Sequence, residues 1–345
     1  MAGSWLGRLR RVYRQSPALY PYLSYARSLF RGRRHVVWMW PEGRIELGER
    51  VALFTHFDRR ERLAEHVLAY VRELHGIGFS VVFITNSGRL PNDGLSALQP
   101  YCRAVIVRHN VGYDFGAVRE VIDLLDLPRP ETEQLLIAND SVYGPLVPIA
   151  DLLGRFDLNK ADLWGMTDSW QYRYHLQSYF LLAGRRAITS PAWQAFWRGV
   201  RPVSSKQWVI SRYEVGLTQQ LLKAGLRCRS LWSYHDLLGQ TAAMFDRSEV
   251  NASISNPLEQ MRIKATERIR GAAATGVPLN PTCELWRHLL LAGFPFLKVE
   301  LLRKNPAEVP DIIDWRQVVA GLPGSDVAMI DRDLQLQQVI RNRVP

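Results

Sequence analysis

Short, β-branched apolar runs alternate along the first half of the chain with segments whose apolar positions repeat at helical spacing. Val51 to Thr55 (VALFT), Val81 to Thr85 (VVFIT), Ala104 to Val107 and Leu135 to Ala138 read as buried strands. Each ends in a polar cluster. These are His56-Phe57-Asp58-Arg59, Asn86-Ser87-Gly88, an Asn-x-Gly-x-Asp-x-Gly segment at Asn110, Gly112, Asp114 and Gly116, and Asn139-Asp140-Ser141. Between them, Leu63, Val67, Tyr70, Val71 and Leu74 share one helical face, stopped by Gly76 and Gly78, and Val118, Val121, Ile122 and Leu125 share another. Strands alternating with helices indicate parallel βαβ units. Ligands of such sheets sit beyond the carboxyl ends of the strands. The clusters at 110–116 and 139–141, on consecutive units, are therefore expected to face one crevice.

The alternation loosens after Pro145. Leu163 to Thr167 predicts a strand ending at Asp168-Ser169, and Leu176 to Leu182 an antiparallel strand with His175 and Gln177 at its start. Pro191 to Val200 and Arg212 to Ala224 read as helices, and Arg227 to Trp232 as a strand leading into Ser233-Tyr234-His235-Asp236. From about Asp246 the pattern is mainly helical. The expected organisation is an appendage over 1–45, an α/β domain with a mixed, mainly parallel central sheet over 46–245, and a mainly helical extension over 246–345.

Composition changes this picture in three places. The net charge of +11 is concentrated at the start, where Arg8, Arg10, Arg11, Arg14, Arg27, Arg31, Arg33 and Arg34 precede the first acid, Glu42. Trp5, Leu6, Leu9, Val12 and Tyr13 fall on one helical face there. Such a basic amphipathic helix lies on an anionic membrane surface or docks on its own protein. No run reaches the ~18 apolar residues of a membrane span, and arginines interrupt any signal-like stretch, so a cytoplasmic protein peripheral to the inner face of the plasma membrane is expected. Cys102, Cys228 and Cys283 are widely spaced, which argues against a disulfide framework or structural zinc and suits a reducing compartment. Nucleic acid is not expected as a partner despite the charge. No helix-turn-helix, zinc-finger or RRM signature occurs, and the densest basic run lies outside the domain.

The two clusters differ in chemistry. Glycines let a backbone approach a ligand closely, and Asp114 is suited to accept hydrogen bonds from hydroxyl or base N–H groups. A strand-end carboxylate, Asp140, is suited to hold a divalent cation that bridges phosphate oxygens. A tight turn followed by an Asx turn uses the same residues; their recurrence on consecutive units favours a nucleotide site. The absence of GxGxxG after the first strand, of GxxxxGK[ST] and of the kinase set argues against dinucleotide, P-loop and kinase sites.

This order of parts resembles the GT-A fold of nucleotide-sugar glycosyltransferases, with a donor half, a metal-binding Asp motif and then an acceptor half. VALFTHFD resembles the opening strand, whose end, with Thr55, meets the nucleotide base. VVFITNSG resembles the second, whose polar residues, with Asn86, meet the base or ribose. NVGYDFGA resembles the segment touching donor sugar and phosphates, which implies donor contacts from Asn110, Gly112 and Asp114. Asn139-Asp140-Ser141 stands where that family carries Asp-x-Asp, with Asn139 replacing one acid. The resemblance implies donor binding by all three and Mg or Mn held by Asp140. YEVGLTQQLLKAG resembles the later acid-led helix, implying Glu214 as the general base of an inverting transfer, with Asp168 as the alternative. His235 stands where many members place a late metal-binding histidine. His175 and Gln177 are candidates for acceptor hydroxyls.

A narrower resemblance, over roughly residues 48–310, is to the rhamnan synthesis F family of lipopolysaccharide and cell-wall polysaccharide proteins. It rests on the segment at 110–116, NDSVYGP at 139–145, WGMTDS at 164–169, HLQSYF at 175–180, and NPT…W…GFPFLKVELLRKNP across 280–306. It implies transfer from a nucleotide-sugar donor, with a deoxysugar such as rhamnose, to a growing bacterial surface glycan or lipid-linked glycan. A non-catalytic nucleotide-sugar-binding scaffold is the alternative. Arg108 and His109 suit either a phosphate or a solvated loop, and Arg303 and Lys304 either a diphosphate or lipid phosphate, or solvent.

Overall fold

The apolar runs predicted as strands become the centre of one sheet in a computed structural model that describes residues 19–30, 32, 34–245 and 256–341. Its strands are β1 (Val36–Trp40), β2 (Arg50–His56), β3 (Ser80–Thr85), β4 (Cys102–Arg108), β5 (Gln134–Asn139), β7 (Leu163–Ser169), β8 (His175–Leu176), β9 (Phe180–Gly184) and β10 (Cys228–Trp232). The short strands β6 (Val142–Tyr143) and β11 (Leu297–Lys298) pair separately. The main order is β1-β4-β3-β2-β5-β9-β7-β10, with β8 added to β7. Strands β2 to β5 are mutually parallel and β10 is parallel to β7, whereas β1, β8 and β9 run antiparallel to their neighbours. The sheet is thus mixed and mainly parallel, in an α/β fold.

Continuous apolar runs form here because both faces of the sheet are covered. Along β2, Val51 and Leu53 point into one core and Ala52 and Phe54 into the other. The first core receives Phe115, Trp193, Trp197 and Tyr213 from helices at Tyr113–Leu124 and Pro191–Gly199 and from the helical run 206–223. The second receives Val67, Tyr70, Val71 and Leu74 from the helix Glu65–Gly76, and Trp286, Leu289, Phe294, Trp315 and Ile330 from the C-terminal region. Residues beyond 256 therefore supply much of the cover of one sheet face.

Part of the N-terminal stretch is also built in. β1 adds to β4 with Trp38 opposite Val107. The helix Tyr20–Leu29 docks through Tyr25, stacked on Trp208 at 4.8 Å. The predicted amphipathic face at Trp5, Leu6, Leu9, Val12 and Tyr13 lies outside the described residues.

Two local departures from the expected elements matter for the site. The strand expected over 176–182 is two pieces, because after β8 the chain breaks at Gln177 to Tyr179 before entering the sheet as β9. The helix expected from Arg212 starts at Lys206, where the Ser205 hydroxyl accepts from the Trp208 N–H, and passes through a π-turn over Val209–Glu214 before continuing as Val215–Lys223. Isolated π-turns recur at functional sites because they re-aim side chains.

From β2 the chain steps outward to β3 and β4, then returns to the other side of β2 at β5. That reversal opens a crevice at the carboxyl ends of β2 and β5. The crevice is closed from below by the β6–β11 ribbon. Leu146 N–H donates to Pro295 O at 2.7 Å and Val299 N–H to Ser141 O at 3.0 Å. Gly144 makes this approach feasible: its φ is +135°, and a Cβ there would lie 2.4 Å from Pro295 O.

Candidate functional site

The strand ends and the β6–β11 ribbon enclose a cavity of about 580 Å³. Asp114, Asn139, Asp140, Ser141, His175, Gln177 and Glu214 line it. Seven of the residues expected from sequence, drawn from four separate segments, thus meet in one place.

The Asn139-Asp140-Ser141 turn is held by hydrogen bonds from both sides. Asp140 N–H donates to Thr55 O at 3.2 Å, and Phe57 N–H donates to Asp140 Oδ2 at 2.9 Å, tying the end of β5 to the end of β2. Asn139 Nδ2 donates to Asp114 Oδ2 at 3.1 Å, while Asn139 Oδ1 accepts from the N–H and hydroxyl of Ser141. This explains the asparagine physically. A carboxylate at 139 would face Asp114 without a proton to share, whereas the amide links the two clusters.

Burial, and then the charge of Asp140, push the Asp114 carboxyl up to about 6, against the Thr55 hydroxyl and the Lys298 charge. Burial pushes Asp140 up to about 7, against the Phe57 N–H and the Arg303 charge. Its side chain keeps 23% of its surface open to the cavity. Burial likewise holds His56 and His66 down to about 4, so both are neutral at pH 7. His56 Nδ1 shares a proton with Thr85 Oγ1 at 3.0 Å, and its Nε2 lies 4.0 Å from Asp140 Oδ2.

Glu214 closes the π-turn on the opposite wall. Its Oε1 accepts from the N–H and hydroxyl of Ser178 at 2.8 and 3.0 Å. Both donors belong to the break between β8 and β9, so the two departures from expected secondary structure meet here. Oε2 takes no hydrogen bond from the described residues, which leaves a fixed carboxylate with one oxygen available as a base.

The remaining expected residues lie elsewhere. Thr55 and Asn86 are buried and outside the lining. Asn86 Oδ1 accepts from Arg108, whose guanidinium is also bonded to Glu120 at 3.0 Å and to Val111 O at 2.9 Å. Arg108 is fully buried, so it serves neither a phosphate nor a solvated loop: it ties the ends of β3 and β4 to the following helix. Asn110 is exposed and away from the cavity. Gly112, at φ +86°, is required by the protein's own packing, since a Cβ there would lie 2.8 Å from Pro202 Cα.

Asp168 is not brought into the cavity either. Its oxygens accept from the Ser230 hydroxyl at 2.7 Å, Tyr234 N–H at 2.8 Å and Trp170 Nε1 at 3.2 Å, which locks β7 to β10. His235 is exposed, stands against Trp170 at 5.1 Å and lines a different depression. A metal shared by Asp140 and His235 is therefore not what this geometry offers. Gln177 lines the cavity with its amide engaged, accepting from Thr167 Oγ1 at 2.7 Å and donating to Asn280 Oδ1 at 3.2 Å.

The turn offers a divalent cation one acid, Asp140, where an Asp-x-Asp offers two. Asn139 spends its oxygen on Ser141, while Asp114 and Asp140 each accept an N–H on Oδ2 and keep Oδ1 out of those bonds. The described residues assemble no group of three His, Cys, Asp or Glu around one point.

Arg303 and Lys304, read from sequence as suited to a diphosphate, a lipid phosphate or solvent, also line the cavity, and Lys206, Lys298, Glu300 and Asp333, which local sequence reasoning did not place, complete it. Lys298 Nζ donates to Ser141 Oγ at 3.0 Å. Arg303 donates to Asp333 Oδ2 at 2.7 Å, which also accepts from the Tyr143 hydroxyl at 2.6 Å. The signal was the GFPFLKVELLRKNP stretch, whose partner in space is NDSVYGP.

Those two stretches are among the motifs that pointed to a family, and a comparison with family profiles agrees. The profile described as Rhamnan synthesis protein F matches residues 81–254, half of the chain. The chain belongs to the rhamnan synthesis protein F family. Within reach of this family assignment, the chain is 30% identical to the protein y4gN of Sinorhizobium fredii over 201 residues, which is 57% of this chain and 52% of that protein. It thus spans about half of y4gN. It is 27% identical to the virulence protein VirA of Vibrio anguillarum over 291 residues, covering 81% of this chain and 87% of VirA. Among solved structures, a mannosyltransferase from Pyrobaculum calidifontis in complex with GDP-Man and Mn2+ is a distant likeness, with a TM-score of 0.35 and 11% identity over 96% of this chain and 90% of that one. The Lys298 contact is a property of this chain, and the matched range of the family profile ends before Lys298.

Proposed function

We propose that this member of the rhamnan synthesis F family transfers a sugar from a nucleotide-sugar donor to a hydroxyl of a growing surface glycan, with inversion at the anomeric carbon. One observation carries the reading: Glu214, fixed through Oε1 only, lines the same switch-point cavity as Asp114 and Asp140. In the transfer, the acceptor O–H bond breaks and its proton passes to Glu214 Oε2. The acceptor oxygen bonds the anomeric carbon, and the bond from that carbon to the donor's phosphate oxygen breaks. The electron pair leaves with the nucleoside diphosphate. In this reading Asp114 and Asp140 accept hydroxyl hydrogens of the donor, and His175, which lines the same cavity, meets the acceptor. The family name supports a deoxysugar donor such as rhamnose.

A thermal-shift panel of nucleotide sugars tests this. A ligand at a hundred times its Kd stabilises by about 2.7 kcal/mol, so an accepted donor raises Tm measurably. No shift from any nucleotide sugar or free nucleoside diphosphate would sink the reading.

The same reading places the protein on an anionic membrane, where lipid-linked glycans are extended. Supporting it, Leu19, Tyr22, Leu29 and Phe30 are exposed on or beside the helix Tyr20–Leu29, next to the arginine-rich start of the chain. Near such a surface each basic residue contributes about 1 kcal/mol. The full chain is expected to sediment with anionic vesicles at low salt and to be released by added salt; equal sedimentation with neutral vesicles would contradict it. No helix among the described residues is long and apolar enough to cross a membrane.

A further inference from the structure

Four cationic side chains line the cavity, and three of them are already engaged with carboxylates. Lys206 and Lys304 reach Glu300 at 3.5 and 3.7 Å, and Arg303 is held by Asp333 at 2.7 Å. Lys298 differs. Among the described residues it makes no ion pair; its direct partners are the Ser141 hydroxyl at 3.0 Å and the face of Tyr179, 5.1 Å from the ring centroid.

Its position is set by backbone register. In the β6–β11 ribbon Lys298 stands opposite Val142, directly after the Asn-Asp-Ser turn. Tyr179 is fixed in turn through its hydroxyl, 2.6 Å from Thr167 Oγ1. The ammonium is therefore presented at the turn where a metal-bearing Asp-x-Asp would hold its cation, and where Asn139, in place of one acid, has spent its oxygen on Ser141. Burial lowers the Lys298 pKa, the mark of a desolvated cation that gains by meeting an anion.

We propose that Lys298, with Arg303 on the wall of the same cavity, stabilises the negative charge that develops on the departing diphosphate, so that transfer needs no divalent cation. This rests on reading the cavity as a nucleotide-sugar site. A fixed cation aimed at developing charge acts as a metal does, without reorganisation at the moment of reaction. Asp333 and Tyr143 act as positioning residues, holding the Arg303 guanidinium at the cavity wall.

The test uses the full chain. UDP, GDP and dTDP are titrated calorimetrically in EDTA and again with Mg²⁺ or Mn²⁺, and turnover of an accepted nucleotide sugar is measured under both conditions. The expected result is one nucleoside diphosphate that binds in EDTA, and turnover in EDTA within about twofold of that with cation. Lys298→Met should lower turnover by about a hundredfold, the typical loss of one preorganised charge-stabilising donor, and weaken diphosphate binding, while Lys298→Arg recovers part of both. Binding or turnover that is lost in EDTA and restored by Mn²⁺ overturns the proposal and leaves the glycosyltransferase reading standing. If no nucleoside diphosphate binds under either condition, both fall. Should Lys298→Met fail to fold, as judged by circular dichroism, the EDTA comparison on the unaltered chain decides alone.

Discussion

Glu214→Gln is expected to lower turnover by between about a hundredfold and ten thousandfold, the usual worth of a general base, with little change in donor affinity. The reasoning is geometric. Ser178 N–H and Oγ–H hold Oε1 at 2.8 and 3.0 Å, and a glutamine carbonyl accepts both bonds unchanged. The amide nitrogen then occupies the place of Oε2 and has no lone pair to take the acceptor's proton. Turnover with an accepted donor and acceptor, set beside calorimetric donor binding, separates the two effects. Unchanged turnover would move the base away from Glu214. It would not move it to Asp168, whose oxygens are filled by Ser230, Tyr234 and Trp170.

Asp140→Asn is expected to gain stability relative to the natural chain as pH rises. The Asp140 carboxyl is raised from 3.8 to about 7 by burial. The folded state therefore binds a proton that the unfolded state has released across that interval. Stability from this group is fully present below about pH 4 and is lost as pH rises through 7. The difference amounts to about 3 kcal/mol, from roughly 1.4 kcal/mol per unit with some relief from cavity water. His56 and His66 work in the opposite direction. Both are lowered from 6.5 to about 4, so they favour the unfolded state as pH falls below 6.5. Asp114, raised to about 6 by burial and then by the charge of Asp140, works in the same direction as Asp140, so the natural chain shows a flattened profile between pH 4 and 6.5, and the comparison with Asp140→Asn reads the Asp140 carboxyl together with its effect on Asp114. The variant keeps an oxygen to accept from Phe57 N–H. Its Tm minus that of the natural chain should climb by several degrees from pH 4 to 8; a constant difference would show that Asp140 ionises as freely as an exposed acid.

The central strands were legible because each is buried on both faces and so reads as an unbroken apolar run. The two polar clusters were legible because they end such runs, and the sheet reverses between β2 and β5. What escaped was long-range pairing. Arg108 follows an apolar run and resembles a loop cation, but Glu120 and Asn86 neutralise and orient it inside the protein. Asp168 and His235 obey the strand-end rule, yet β7 lies two strands from β5, with β10 beyond it. Their polar groups link neighbouring strands instead of entering the crevice. Glu214 was found by its place before a helix, while the π-turn that aims it depends on packing against the break at Ser178. Lys298 was marked only as part of the GFPFLKVELLRKNP stretch, since its own role comes from register with Val142.

That register has a temporal consequence. Lys298 and the Ser141 hydroxyl it meets are 157 positions apart, and loop closure of this span precedes any reward from the contact. During synthesis strands β2 to β5 leave the ribosome well before Lys298, while the cover of one sheet face still waits on residues beyond 256. A nascent chain therefore carries Asp114 and Asp140 before Lys298, Arg303 and Lys304 have followed them into the cavity. Chemical competence is thereby tied to synthesis through the β6–β11 ribbon.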